Sequence, residues 1–152
     1  MAASLLNHSW YSLLQGVSSP EHLISVAARL GYQSLALTDT NNLLGAVAFH
    51  DLALSHGIKP ILGSVLRTPT QSVVALVQNR AGYRSLCCIL SRLNLNDDAN
   101  LGELLLQFNQ GLHLLVDTPE LLELLQIGSV IWTKPKKKLK KSLIKPKPMR
   151  QN

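Results

Sequence analysis

Ser34-Leu35-Ala36-Leu37-Thr38-Asp39-Thr40-Asn41-Asn42-Leu43-Leu44-Gly45 is the stretch on which the fold turns. Its opening residues, 34–38, are almost wholly apolar, as a strand covered on both faces of a parallel sheet should be. Asp39 then stands at the C-terminal end of that strand. Asn42 is placed to cap a following helix, with Leu44, Val47, Ala48 and Leu52 as its inward stripe and Gly57 as its stop. A strand, a polar turn and an amphipathic helix make one βα unit, and the same alternation runs from Ser4 to about Gln126.

Upstream, Ser19-Pro20-Glu21 supplies an N-cap, a proline at the first helical position and an acid in the first turn. Leu23, Val26, Ala27 and Leu30 follow on one face, and Gly31 ends the helix. Downstream, 58–66 reads as a strand whose start is an edge or irregular, because Pro60 cannot donate to a ladder. Residues 73–77 form a further strand, and Tyr83, Leu86, Cys87 and Leu90 share a helical face that puts Cys87 in the core. Leu101, Leu104, Leu105 and Phe108 repeat the helical spacing, 112–116 is a fifth buried strand, and Thr118-Pro119-Glu120 starts a last short helix. The expected fold class is α/β, with βα units around a parallel sheet or barrel.

The chain has 152 residues, 46% of them hydrophobic, which suits one domain with a tail. Its net charge of +6 divides sharply: residues 134–152 hold eight Lys, one Arg and no acid, and residues 1–133 carry all nine acids against six basic residues. The expected organisation is therefore a mildly acidic α/β domain, 1–133, followed by a basic tail, 134–152. That tail is too polar to offset its ordering entropy and is expected to be disordered. Its lysines, Lys134, Lys136, Lys137, Lys138, Lys140 and Lys141 among them, would attract nucleic acid without sequence preference and in a salt-dependent way. They lack the interleaved aromatics of a dedicated single-strand binder. A solvated end, or an unrelated ending acquired by truncation or a shifted frame, accounts for them equally. No signal sequence and no run long enough to span a membrane is present, and Cys87 and Cys88 are adjacent, so a cytoplasmic protein with reduced thiols and no membrane partner is expected.

The reactive groups of such a fold gather at strand C-termini. Those positions hold His8-Ser9, Thr38-Asp39-Thr40 and Gly63-Ser64-Val65. Four stretches there and beyond carry a resemblance: Asn7-His8-Ser9-Trp10-Tyr11-Ser12-Leu13-Leu14-Gln15-Gly16; Leu35 to Gly45; Gly57-Ile58-Lys59-Pro60-Ile61-Leu62-Gly63; and Gly82-Tyr83-Arg84-Ser85-Leu86-Cys87 with Ser91-Arg92. In order and spacing they resemble the PHP (polymerase and histidinol phosphatase) domain. The closer likeness is to the form that opens bacterial DNA polymerase III alpha subunits and their error-prone relatives. It extends to about Gln126. The resemblance implies a distorted (β/α) barrel, here partial and truncated, whose active members hydrolyse phosphoesters with metal ions held by His, Asp and Glu.

Against that pattern this chain departs at several ligand positions. The family's His-any-His falls on Leu6-Asn7-His8, its Asp-His on Asp39-Thr40, and its glutamate on Val65. Only His8 and Asp39 remain as candidate metal ligands. A hydrolytic metal needs at least three good protein ligands and an open position, so these two would hold a divalent Mn, Zn or Fe weakly, and no cofactor is expected. Hydrogen bonding explains His8 as well, and loop or cap chemistry explains Asp39. Ser9, Ser12 and Ser64 have no evident base and acid around them. His22, His50 and His56 read as exposed and His113 as a core residue. No residue stands out as catalytic.

The leading expectation is a degenerate, inactive PHP-like domain with a structural or interaction role in DNA replication, partnered by a DNA polymerase or replication subunits. The alternatives are a metal-dependent phosphoesterase or 3'-5' exonuclease of the same family, and a nonspecific nucleic-acid binder working through the tail. With about five strands the sheet cannot close, so self-association through its edges and the faces of 112–116 and 130–132 is also expected.

Overall fold

A computed structural model describes residues 2–96, 98–125 and 130–132. The basic tail, with Lys134, Lys136, Lys137, Lys138, Lys140 and Lys141, lies outside the described residues.

The elements in chain order are β1 (Ala3–Ser4), α1 (Pro20–Arg29), β2 (Ser34–Thr40), α2 (Ala46–Ser55), β3 (Lys59–Arg67) and β4 (Ser72–Val77). They continue with α3 (Arg80–Leu95), α4 (Leu101–Gln107), β5 (Leu112–Val116), α5 (Pro119–Leu125) and β6 (Val130–Trp132). The strands form one six-stranded sheet in sequential order, a curled half-barrel with β1 and β6 at its edges. This is the α/β class read from the sequence, with one difference. Strands β1, β2 and β3 are parallel, as are β5 and β6, but β4 runs antiparallel to both β3 and β5. The cause is the short turn between β3 and β4. Thr68 N–H donates to the Gln71 carbonyl at 2.9 Å, and so few residues can join only antiparallel neighbours.

The ladder register decides which side chains face the helices. Leu35 and Leu37 on β2, Leu62 and Leu66 on β3, Val73 and Ala75 on β4, and Leu112, Leu114 and Val116 on β5 share one face. Helices α1 and α2 cover its first half through Ile24, Ala27, Phe49 and Ala53. Helices α3, α4 and α5 cover the second half through Leu86, Ile89, Leu101, Leu105, Leu121 and Leu125. The opposite face, the inner wall of the curl, also buries Ala36, Thr38, Gly63, Val65 and Leu76. Pro60 falls in the part of β3 that pairs with β2 but not with β4, where a missing N–H costs least.

Local chemistry explains the helix ends. Ser19 accepts from the His22 amide and Pro20 opens α1 as expected, and Gly31, at φ 75°, supplies the left-handed stop. Asn79 and Asn100 cap α3 and α4. Gly82 lets α3 cross tightly over the chain entering β5, since a β-carbon there would overlap the Gly111 carbonyl.

Several expectations about faces are corrected. Asn42 does not cap α2, whose N-cap is Gly45; its Oδ1 instead accepts from Leu44 N–H in a turn. That turn uses up the residues before Ala46, so Ala46, Phe49 and Ala53 point inward, and Leu44 and Val47 are exposed. Leu30 is exposed as well. Cys87 is half-buried beside Tyr83 and not in the core, and His113 is likewise half-buried. Finally, β5 is an interior strand whose Leu112, Leu114 and Val116 are covered by helices, while His113 and Leu115 on its other face are half-buried. Among the described residues no helix is long and apolar enough to cross a membrane.

Candidate functional site

The C-terminal ends of β1, β2 and β3 come together at the loop of residues 5–18. Past Ser4 the chain continues beside β2 without regular pairing: Thr38 N–H donates to the Asn7 carbonyl at 2.9 Å, and Asn7 N–H donates to Thr38 Oγ1 at 3.0 Å. The Asn7 amide nitrogen also donates to the Ala36 carbonyl at 2.9 Å. His8 is thereby delivered to the end of β2.

Asp39 is the centre of the site. It is only 2% exposed, and its Oδ1 accepts from Ser9 N–H at 2.7 Å and from Ser12 Oγ at 2.6 Å, while Oδ2 accepts from Ser9 Oγ at 2.7 Å. Three of about four lone-pair positions of the carboxylate are taken by these donors. Charge-assisted bonds of this length are the strong kind, so the buried carboxylate is firmly tied to the loop it holds. Ser64 Oγ adds a 2.6 Å bond to the Asp39 carbonyl. The loop itself is drawn tight by Trp10 N–H donating to the Ser18 carbonyl and by Gly16, where a β-carbon would overlap the Ser9 carbonyl.

Ser12, 1% exposed, connects this carboxylate to His8. Its hydroxyl proton goes to Asp39, and it accepts from Thr40 N–H at 3.0 Å. The remaining neighbour, His8 Nδ1 at 3.2 Å, must then be the donor. Sequence reasoning does not join Ser9, Ser12, His8 and Asp39 into one network. The signal for it is the spacing of His8-Ser9 with Ser12 one turn later, opposite an acid at a strand end. The order of the groups is not that of a nucleophilic triad. A triad places histidine between serine and acid, whereas here Ser12 lies between His8 and Asp39 and its proton is already given to the carboxylate.

The other three positions singled out by the resemblance lie elsewhere. Thr40 pairs with Val65 across β2 and β3, and both are on the inner face of the curl. Because side chains alternate along a strand, Asp39 belongs to the opposite, helix-bearing face. Thr40 Oγ1 donates to Gln15 Oε1 at 2.9 Å, Val65 is buried, and Leu6 is exposed. Leu6 and Val65 have no donor atom, and among the described residues no three His, Cys, Asp or Glu side chains come close enough to hold a metal ion. The residues present therefore do not fit the metal cluster that the fold family implies.

Known proteins resemble this chain in sequence. The chain is similar to DNA polymerase III subunit alpha of Buchnera aphidicola subsp. Schizaphis graminum, 37% identical over an alignment of 92 residues, with coverage of 56% of this chain and 8% of that protein. It is similar to the error-prone DNA polymerase of Teredinibacter turnerae, 40% identical over 85 residues, 55% of this chain and 8% of that protein. Among solved structures it is similar to a Bifidobacterium adolescentis protein described as a metal-dependent phosphoesterase, with 18% identity, a TM-score of 0.43, and coverage of 72% of this chain and 44% of that one. The matched region thus spans about 8% of the length of the curated polymerases. The PHP domain family matches over residues 4–130, from β1 to the start of β6, and the chain belongs to that family.

Proposed function

We propose that this chain is a PHP domain without phosphoesterase activity, acting as a structural or interaction module in the setting of DNA replication. The observation that carries the reading is the engagement of Asp39. Its carboxylate, one of two candidate ligands, is satisfied by Ser9 and Ser12 on the helix side of the sheet, away from Thr40 and Val65. His8 Nε2 alone could bind a cation only weakly and could not generate the activated water that hydrolysis requires. Asp39 is read here as the clamp of the 5–18 loop, and His8 as a hydrogen-bonded neighbour of that clamp.

The replication setting rests on the likeness to polymerase III alpha subunits and error-prone polymerases, and a polymerase or replication subunit is the class of partner it favours. The basic tail, from Lys134 on, is proposed to add a nonspecific, salt-dependent attraction to nucleic acid. Elemental analysis of the purified protein, together with manganese-stimulated hydrolysis of a simple phosphodiester, tests the reading. It expects no stoichiometric metal and no hydrolysis above background. One tightly held metal per chain that is lost in His8→Ala would establish the rival, a metal-dependent phosphoesterase or exonuclease.

A further inference from the structure

Charge is divided within the domain as well as between the domain and its tail. Residues 93–133 contain six acids, Asp97, Asp98, Glu103, Asp117, Glu120 and Glu123, and no Lys or Arg, whereas residues 1–92 hold three acids against six basic residues. Asp98, Glu103, Asp117, Glu120 and Glu123 are all exposed, and none of them forms an ion pair with a described residue. Glu103 and Glu120 stand in the first turns of α4 and α5, where the helix dipole favours an acid. Asp98 and Glu123 lie outside those turns.

The topology gathers these acids where the tail begins. Trp132 pairs with Val116 in the parallel β5–β6 ladder, so the chain leaves β6 one strand spacing, about 4.8 Å, from the residue that precedes Asp117. Lys134 follows two residues later. Helix α5 starts at the same end, and α4 lies against it, since a β-carbon on Gly102 would meet the side chains of Leu124 and Leu121. The Asn94 side chain on α3 donates to the Asn41 carbonyl at 3.1 Å, just past the end of β2, which brings the α3–α4 junction to this end of the sheet too. A depression of about 730 Å³ opens there, with Leu95, Asp98, Asn100 and Glu103 in its lining.

Length and chemistry both fit the tail to this face. Helix α5 has seven residues, about 10 Å, and packed helices lie 8–10 Å apart, so the path from Asp117 across α5 to the depression is about 20–25 Å. About eight extended residues cover that distance. Residues 134–141 hold six of the tail's lysines. Leu95 is 86% exposed and Leu124 48%, and the tail sets Leu139, Leu143 and Ile144 among its lysines. A segment tethered this closely acts at an effective concentration in the millimolar range, which a separate basic polypeptide does not reach.

We propose that the acidic face of α4, α5 and the α3–α4 junction holds the chain's own basic tail. Together with the proposed attraction of the tail to nucleic acid, on which this part rests, the face becomes a competitor for the tail. Contacts of this kind are exposed and screened by salt, so they tune binding while adding little to a melt.

Carbodiimide cross-linking of the full 152-residue protein, read by mass spectrometry, tests the contact. At about 0.05 M ionic strength, monomers should carry links from residues 134–141 to Asp98, Asp117 or Glu123, and these should disappear in about 1 M NaCl. Glu21 on α1 and Asp51 on α2 are references that should not link. Anisotropy of a labelled single-stranded oligonucleotide tests the competition. Asp117→Asn with Glu123→Gln should bind it about fivefold tighter than the wild type at low salt, and Glu21→Gln with Asp51→Asn, which removes the same charge elsewhere, should change affinity less than about twofold. All four side chains are exposed, so neither variant disturbs the core. Links to Glu21 and Asp51 as frequent as those to the face, links confined to multimers, or equal and measurable affinity of the two variants overturns the proposal. Monomer links to the face in a protein that does not bind the oligonucleotide support the docking and sink the nucleic-acid reading of the tail.

Discussion

Replacing Asp39 separates a structural clamp from a metal ligand. In Asp39→Ala the Ser9 amide and the hydroxyls of Ser9 and Ser12 lose their acceptor inside a site from which water is excluded. A buried donor left unsatisfied costs about 1–3 kcal/mol. The Ser12 hydroxyl can turn toward His8, which switches tautomer, so its loss is partly recovered, and relief from holding a buried charge offsets a further part. The Ser9 amide has no such freedom. The net destabilisation expected is about 3–4 kcal/mol, which for a domain of this size lowers the melting temperature by about 10–15 °C. Asp39→Asn keeps one acceptor oxygen and forces only the Ser9 hydroxyl to reverse, so about 1–2 kcal/mol is expected. Calorimetry of both variants in chelator-treated buffer measures this. If Asp39→Ala melts within about 3 °C of the wild type, the carboxylate is not holding the loop and the assignment of its role is wrong.

Other consequences can be checked on the same protein. Ser19→Ala removes the acceptor for His22 N–H and should cost about 1 kcal/mol in urea unfolding. Glu21 is held below its ordinary carboxylate range, first by its own backbone N–H and then by Ser19. A lowered native value stabilises above the unfolded one, so any advantage over Glu21→Gln should fade as pH falls through that lowered range, read from melts in acid series. Gly82→Ala should destabilise by roughly 3 kcal/mol or prevent folding, because the new methyl meets the Gly111 carbonyl that accepts from Gln78; a neutral result by thermal melt would refute the close crossing. Removing residues 134–152 should leave the melting temperature unchanged and abolish salt-sensitive retention on DNA, whereas a drop of many degrees would mean that the segment packs on the domain.

The parts of the fold legible in sequence are those with one dominant local cause. Residues 112–116 alternate between a covered face and a half-covered one inside a run with no competing signal, and β5 occupies those positions. The Ser-Pro-Glu opening of α1 combines a cap with a residue already set at helical φ, and Pro119 opens α5 in the same helical φ. Where sequence and structure part, two signals compete. Asn42 suits both an N-cap and a side-chain turn, and the turn wins because Gly45 can then approach the Tyr11 ring, a contact from a distant loop that no local window contains. The reversal of β4 is set by the four residues 68–71, whose shortness is visible in sequence but is outweighed there by the alternating βα pattern. At the site, Asp39 is legible because strand ends are where chemistry gathers. Ser12 is not, because its meaning depends on the register of two strands and a loop.

On the proposed reading, strand alternation also gives a physical reason why a domain can keep this loop while its metal ligands are replaced. Asp39 faces the helix side, where its bonds to Ser9 and Ser12 hold residues 5–18 in place, and Thr40 and Val65 face the inner wall. On the proposed reading the two tasks are carried by adjacent residues on opposite faces, so changes on one face need not disturb the other. Valine at position 65, buried against the curl, is at home in an apolar wall, where an unpaired glutamate would bring a desolvation cost that only a bound cation could offset. Threonine at position 40 still serves the loop through Gln15. On that reading an apolar inner wall is the more stable arrangement, and the clamp holds a loop whose Leu13, Leu14 and Val17 face solvent. On the same reading a loop fixed in that way suits contact, since a rigid apolar surface loses little entropy when a partner covers it.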